Sequence, residues 1–162
     1  LISIDEGQMA RKGIEVVPGR PRHAALILPC LRREELGEIA AIVLRPRRAV
    51  LHMIRCSLYC RALFLDGEIA ALGGLVASLM GAEARAWLLT TAAVERRPLA
   101  FLRFMQTQID CALAHYRSVS ACGPEDAERV LRFWRLLGAR IGEPQALGRH
   151  GERLCAIVWE AA

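Results

Sequence analysis

Residues 84–104 read Ala84-Arg85-Ala86-Trp87-Leu88-Leu89-Thr90-Thr91-Ala92-Ala93-Val94-Glu95-Arg96-Arg97-Pro98-Leu99-Ala100-Phe101-Leu102-Arg103-Phe104. The short apolar run from Ala86 to Leu89 has the character of a buried strand. Thr90, Thr91 and a short connection follow. Arg96 and Arg97 then stand directly before Pro98, where a long amphipathic pattern begins. Proline suits a first helical position because the N–H it lacks would have no intrahelical acceptor there. A strand therefore feeds a helix through a turn that carries two guanidinium groups. Unpaired N–H groups and the positive end of the helix dipole point into the same turn. Such a turn is a place for an anion, a phosphate above all. Ordinary surface arginines on a solvated helix start would leave the same pattern.

The chain has 162 residues, enough for one domain with a substantial core, expected over residues 9–162. Residues 1–8 precede Met9, which reads as a native start, so they are expected to be foreign to the native chain or without fixed structure. Apolar residues make up 54% of the chain, yet Arg, Glu or Gly interrupts every apolar run well short of a membrane span. The first residues include Asp5 and Glu6, which do not fit a secretory signal. Net charge is +5, and Lys12 is the one lysine. The arginines are interspersed with acidic residues rather than massed, which argues against nucleic acid as a partner. Cys30, Cys56, Cys60, Cys111, Cys122 and Cys155 form no CxxC pair and no disulfide framework. They read as reduced thiols of a cytoplasmic protein. His52, Cys56 and Cys60 would share a face only if the helix continued past Tyr59, and it is expected to stop before. No metal site is expected.

Working outward, Ile14 to Val17 reads as a first strand closed by Pro18-Gly19. Pro21 opens a helix that Pro29 interrupts. Glu34 to Leu44 is helical by period, with Leu36, Ile39, Ala40 and Val43 as its stripe. Pro46 starts another helix with Val50, Met53 and Ile54 inward. At Tyr59 the period changes. Tyr59 to Leu65 and Glu68 to Leu79 are strand-like, and the Asp66-Gly67 pair between them is a strong hairpin signal. Gly73-Gly74 inside the second strand marks a bulge or a close backbone approach. From Pro98 the helical stripe is Leu102, Met105, Ile109, Ala112, Leu113 and Tyr116. Ser118 to Cys122 is a strand. Gly123-Pro124 is expected to start the last helix, with Glu125 and Asp126 in its first turn and Val130, Phe133, Trp134 and Leu137 inward. Gly138 stops it. Ala139 to Gly142 and Leu154 to Trp159 close the fold. The order is β, helices, β-β-β, α, β, α, β, β. It predicts an α/β (α+β) domain with a mixed, mostly antiparallel sheet and a strand–helix–strand crossover in its second half.

That order, together with the Asp66-Gly67 hairpin, the Trp87–Thr91 strand feeding the helix after Pro98, and Phe133-Trp134-Arg135-Leu136-Leu137-Gly138-Ala139, resembles the GNAT acetyltransferase superfamily. The likeness spans about Ile14 to Trp159. Glu34-Glu35-Leu36, the Asp-Gly hairpin, Trp87-Leu88-Leu89-Thr90-Thr91 and Glu95-Arg96, taken in order, are most similar to the GNAT-like proteins of tailed phages and prophages. The resemblance implies a sheet flanked by helices on both faces. It also implies acetyl-CoA or CoA held beside the Trp87–Thr91 strand, whose bulge would leave backbone groups to pair with pantetheine. By position, Leu89, Thr90, Thr91 and Val94 would face the thioester and pantetheine arm, and Arg96 and Arg97 the pyrophosphate.

The chain departs from the family pattern at three places. Glu95-Arg96-Arg97-Pro98-Leu99-Ala100 occupies the family's Gln/Arg–x–x–Gly–x–Gly/Ala loop, and only Ala100 fits. Pro98 has no N–H to offer a phosphate. Trp134 stands where the family's tyrosine protonates the leaving thiolate, and an indole is not such an acid. Ala127 replaces a common asparagine. Glu68, Glu83, Glu95, His52 and Tyr59 are titratable groups near the strand ends and hairpin, and none is assigned a catalytic role. The resemblance implies an acetyl-CoA-dependent N-acyltransferase with an unknown amine acceptor. The departures fit instead a catalytically inactive module for binding or structure in phage assembly or host interaction. An arginine-rich nucleic-acid binder is a third reading.

Overall fold

The computed structural model describes residues 13–32, 45–77, 81–148 and 150–161. The helix read at residues 34–44 and the strand residues 78–79 lie outside them. Along the described chain run β1 (Ile14–Pro18), α1 (Pro21–Ile27), a 3-10 turn at Leu28–Cys30 and α2 (Pro46–Cys56). β2 (Tyr59–Leu65), β3 (Glu68–Ala77), β4 (Glu83–Thr90) and a short α3 (Ala93–Arg96) come next. The long α4 (Pro98–Leu113), β5 (Ser118–Pro124), α5 (Glu128–Leu136), β6 (Arg140–Ile141), β7 (Gln145–Ala146) and β8 (Arg153–Glu160) complete it.

The strands join in one sheet ordered β1-β2-β3-β4-β5-β8-β6, with β7 also on β8. Among the described strands every pair is antiparallel except β4–β5. A parallel pair needs a crossover, and α4 is that crossover. The β2–β3 turn has φ 51° at Asp66 and 82° at Gly67. Two consecutive positive φ values are what a type I′ hairpin demands, and Asp-Gly tolerates them.

Strand alternation sends side chains to both faces of this sheet. Ala62, Ile69, Leu72 and Leu89 pack with Ala24 and Ile27 of α1 and with Val50 and Ile54 of α2. Leu63, Leu65, Ala71 and Leu75 meet Phe101, Phe104, Met105 and Ile109 of α4 and Leu131 and Trp134 of α5 on the other face. The β2–β3 register shifts between Leu63 and Phe64, which leaves Ala70 as an extra residue on β3. Ala70 and Ala71 consequently share a face, and the alternation resumes in phase on either side.

The bulge thus sits at Ala70 and not at Gly73-Gly74, where a close approach decides the residue. A Cβ on Gly73 would lie 2.8 Å from Trp87 O, and one on Gly74 2.7 Å from Tyr59 O. The last helix starts at Glu128 rather than at Gly123-Pro124. Those two residues instead pair with Cys155 and Leu154 in the sheet, and Glu125 and Asp126 form the following turn. In α4 the inward face includes Phe101 and Phe104, while Leu102 is half-buried.

The end of α5 is built as expected. Gly138, at φ 80°, donates its N–H to Arg135 O at 3.0 Å, and Ala139 donates to Trp134 O at 3.0 Å. This is the Schellman arrangement, which satisfies carbonyls the helix leaves open. Trp159 of β8 donates its indole N–H to Leu137 O at 3.0 Å, so the cap is tied to the sheet. Trp134 is buried and packs edge-on against Trp159 at 5.3 Å between ring centroids.

Candidate functional site

β4 and β5 pair over only three residues, Glu83–Arg85 against Ser118–Ser120. Beyond that point β5 follows β8 and β4 follows β3, so the two central strands part. Leu31 then bridges Thr91. The β3–β4 ladder is regular from Ala84 to Thr90, and Thr91 N–H donates to Ala70 O at 2.9 Å. In an antiparallel ladder only alternate residues exchange hydrogen bonds with the neighbour. Trp87 and Leu89 therefore bond to β3, and the main-chain N–H and C=O of Leu88 turn toward the opening. Backbone groups reach this opening because the strands diverge, and not through a bulge in β4.

A cavity of about 420 Å³ occupies the opening. Ala86, Leu88, Leu99, Leu102, Val130 and Phe133 supply much of its apolar lining. Tyr59 and Arg61 of β2 and Gln108 of α4 line its far part, and Arg32, Glu95 and Arg129 add charge. Glu95 Oε1 accepts from Arg32 Nη1 at 3.3 Å and forms an ion pair with Arg129 Nη1 at 3.2 Å. Arg32 Nη2 donates to Thr90 Oγ1 at 2.9 Å.

The site residues expected from the sequence separate into three groups. Thr90 and Val94 line the cavity. Leu89 is buried in the core on the α1–α2 face. The Thr91 hydroxyl donates to Ile69 O at 2.9 Å and accepts the Ala93 N–H at 3.2 Å, so it shapes the turn into α3. Arg96 and Arg97 lie at that turn, and their guanidiniums reach the β2–β3 hairpin. Arg96 Nη2 pairs with Glu68, and Arg97 Nη1 lies 3.0 Å from Asp66 Oδ1. Arg97 is the N-cap of α4 and Pro98 its first residue. Leu99 and Ala100 thus occupy first-turn positions, whose N–H groups have no intrahelical acceptor.

Of the titratable candidates, Glu95 and Tyr59 line the cavity; Glu68, Glu83 and His52 do not. The Tyr59 hydroxyl donates to Gln108 Oε1, and burial pushes its pKa above the usual phenol value, partly offset by Arg61. His52 Nε2 lies 3.4 Å from Cys56 Sγ, whereas Cys60 belongs to β2. Burial raises the Cys60 thiol to about 11. Arg32, Arg61 and Arg129 of the lining carry no local sequence signal, because distant parts of the chain contribute them.

No protein-family model matches this sequence, and no curated protein matches it. Solved structures do, over nearly the whole chain. The protein yncA of Salmonella typhimurium, solved with its cofactor acetyl-CoA, matches with a TM-score of 0.73 at 13% identity, over 93% of this chain and 95% of its own. An N-acetyltransferase from Staphylococcus aureus gives 0.71 at 9% identity, over 93% and 100%. An acetyltransferase of the GNAT family from Bacillus anthracis gives 0.71 at 7%, over 94% and 98%. The chain has the GNAT acetyltransferase fold, a mostly antiparallel mixed sheet between helices. Among the described residues, no helix is long and apolar enough to cross a membrane.

Proposed function

We propose that the protein is an N-acyltransferase that takes its acyl group from acetyl-CoA and passes it to an amine acceptor. The observation that carries this reading is the early parting of β4 and β5, with the Leu88 main chain turned into an apolar opening. A protein of the same fold was solved with acetyl-CoA as its cofactor.

The chemistry of the lining fits the cofactor's arm well. Pantetheine is an amide-bearing chain, and Leu88 offers one donor and one acceptor in the manner of a neighbouring strand. Thr90 and Val94 contribute wall, while Leu89 and Thr91 hold the strand and its turn in shape from behind. The phosphate end is less complete, because Pro98 offers no N–H. Arg96 and Arg97 would supply the missing donors by exchanging Glu68 and Asp66 for phosphate oxygens. The cofactor brings an acyl group activated as a thioester. The chain's task is to orient that thioester and exclude water.

A catalytically inactive binding or structural module of phage assembly or host interaction is the second reading. It is favoured by Trp134, buried where a phenol would be needed and unable to give a proton to a leaving thiolate. The ordered sequence pattern supports phage or prophage origin. Six cysteines without a CxxC pair or a disulfide-framework spacing support a cytoplasmic setting, and the chain is read as one domain over residues 9–162.

Calorimetric titration with acetyl-CoA tests the reading. Replacing both Arg96 and Arg97 by alanine is expected to weaken binding at least about tenfold, since charge-assisted bonds contribute roughly 1.5–3 kcal/mol each. Stability is expected to fall by no more than about 1 kcal/mol, because both ion pairs are largely exposed. Equal affinity would remove the arginines from the phosphate site. No binding to the unaltered protein would leave the inactive module as the surviving reading.

A further inference from the structure

The far part of the cavity has its own chemistry. Arg61 of β2 pairs across the sheet with Gly73 of β3, and Gly73 pairs with Leu88 of β4. Direct partners in adjacent strands share a face, so Arg61, Gly73 and Leu88 form one row beneath α4. Gly73 puts no side chain of its own at the centre of the row, and Leu88 Cδ1 lies close over it, 3.0 Å from where a Cβ would stand. Two strand spacings separate its ends, about 10 Å. Tyr59, Met105 and Gln108 wall the same space, and all of these residues line the cavity that begins between β4 and β5.

Among the described residues, the lining of this cavity holds three arginines, Arg32, Arg61 and Arg129, and one carboxylate, Glu95. Glu95 is already engaged by Arg32 and Arg129. Arg61 is half-buried, and no carboxylate pairs with it among the described residues. Its guanidinium stacks over the Tyr59 ring, 4.5 Å from the centroid. That phenol is neutral at pH 7, so it orients the cation without neutralising it. A guanidinium seated over an aromatic ring, in the far part of a largely apolar cavity, suits a planar anion received through two N–H groups.

We propose that Arg61 anchors a carboxylate, and that the ligand reaching it is a carboxylate-bearing small molecule. The proposal rests on reading the β4–β5 opening as an acyl-thioester site, and two sources share the chemistry. The carboxylate belongs either to an acyl chain that ends in one or to the acceptor.

Calorimetry on the unaltered protein and Arg61→Gln, with acetyl-CoA, succinyl-CoA and free glutamate as probes, separates the outcomes. If the acyl chain carries the carboxylate, succinyl-CoA binds the unaltered protein at least tenfold tighter than acetyl-CoA, about 1.4 kcal/mol. Arg61→Gln abolishes that preference and leaves acetyl-CoA affinity unchanged. If the acceptor carries it, the two thioesters bind alike, while glutamate binds the unaltered protein and at least tenfold more weakly to Arg61→Gln. Arg61→Met, which keeps an apolar stem over Tyr59, gives the same comparison should the glutamine variant melt early. The proposal is overturned when neither succinyl-CoA nor glutamate distinguishes the unaltered protein from these variants. Failure of acetyl-CoA to bind, with glutamate still dependent on Arg61, would sink the acyltransferase reading alone.

Discussion

At the scale of single residues, His23 couples a helix start to pH. It is the third residue of α1 and is buried, with its ring edge toward Phe64 at 5.8 Å between centroids. The Arg20 N–H donates to His23 Nδ1 at 3.1 Å. Nδ1 is thus the acceptor of the neutral ring and Nε2 carries the proton, so the 3.3 Å approach of Arg22 Nε to Nε2 is a contact rather than a hydrogen bond. Burial first, then the charges of Arg22 and Arg20, hold this histidine below its ordinary 6.5. The unfolded chain therefore binds the proton more readily than the folded one. Stability from this group is complete above pH 6.5 and is lost as pH falls through the lowered folded value. Urea melts are expected to show the midpoint dropping between pH 7.5 and the acid side of that window. His23→Gln should be less stable at pH 7.5 and lack the histidine step. An identical pH response in the variant would locate the titrating group elsewhere.

At the scale of elements, what was legible in the sequence was what local chemistry alone decides. Asp66-Gly67 demanded its turn, Gly138 its helix stop, and Pro21, Pro46 and Pro98 their helix starts. The misreadings came where a distant partner decides. Gly123-Pro124 has the composition of a helix start, but hydrogen bonding to β8 extends the strand through it. The bulge belongs to Ala70, an unremarkable alanine, because register between two core faces sets its place. The site divides in the same way. Arg96 and Arg97 were visible beside Pro98 in one stretch of chain, whereas Arg32, Arg61 and Arg129 meet only through the sheet and helix packing. The opening itself is a property of strand pairing and leaves a measurable mark. The Leu88 amide, turned away from β3, is expected to exchange its hydrogen faster than the amides of Trp87 and Leu89. Saturating acetyl-CoA should slow Leu88 most. If Leu88 exchanges as slowly as its neighbours in the free protein, the main chain of β4 faces the other way.

At the scale of the molecule, one sheet carries two cores, with α1 and α2 on one face and α4 and α5 on the other. β4 and β5 join its two halves through three paired residues. Packing bridges the same divide, since Phe101 of α4 stacks on Phe133 of α5 at 5.4 Å between centroids. A ligand lying between the strands touches both halves at once and exists only while they are together. It must therefore stabilise the folded state as a whole by mass action, whatever the fate of the acyl group. Acetyl-CoA at one hundred times its dissociation constant adds about 2.7 kcal/mol. For a chain of this size that is a rise of roughly 5–10 °C in melting temperature. Arg61→Gln should show the same rise with acetyl-CoA, because the acetyl group has no carboxylate to offer the guanidinium. The Arg96/Arg97 double alanine variant should require at least about tenfold more ligand for the same rise. A melting temperature that stays constant as acetyl-CoA is titrated to its solubility limit would mean that the opening between β4 and β5 does not take the thioester. The parted strands would then be a relic of the fold, and this surface one for a partner of another kind.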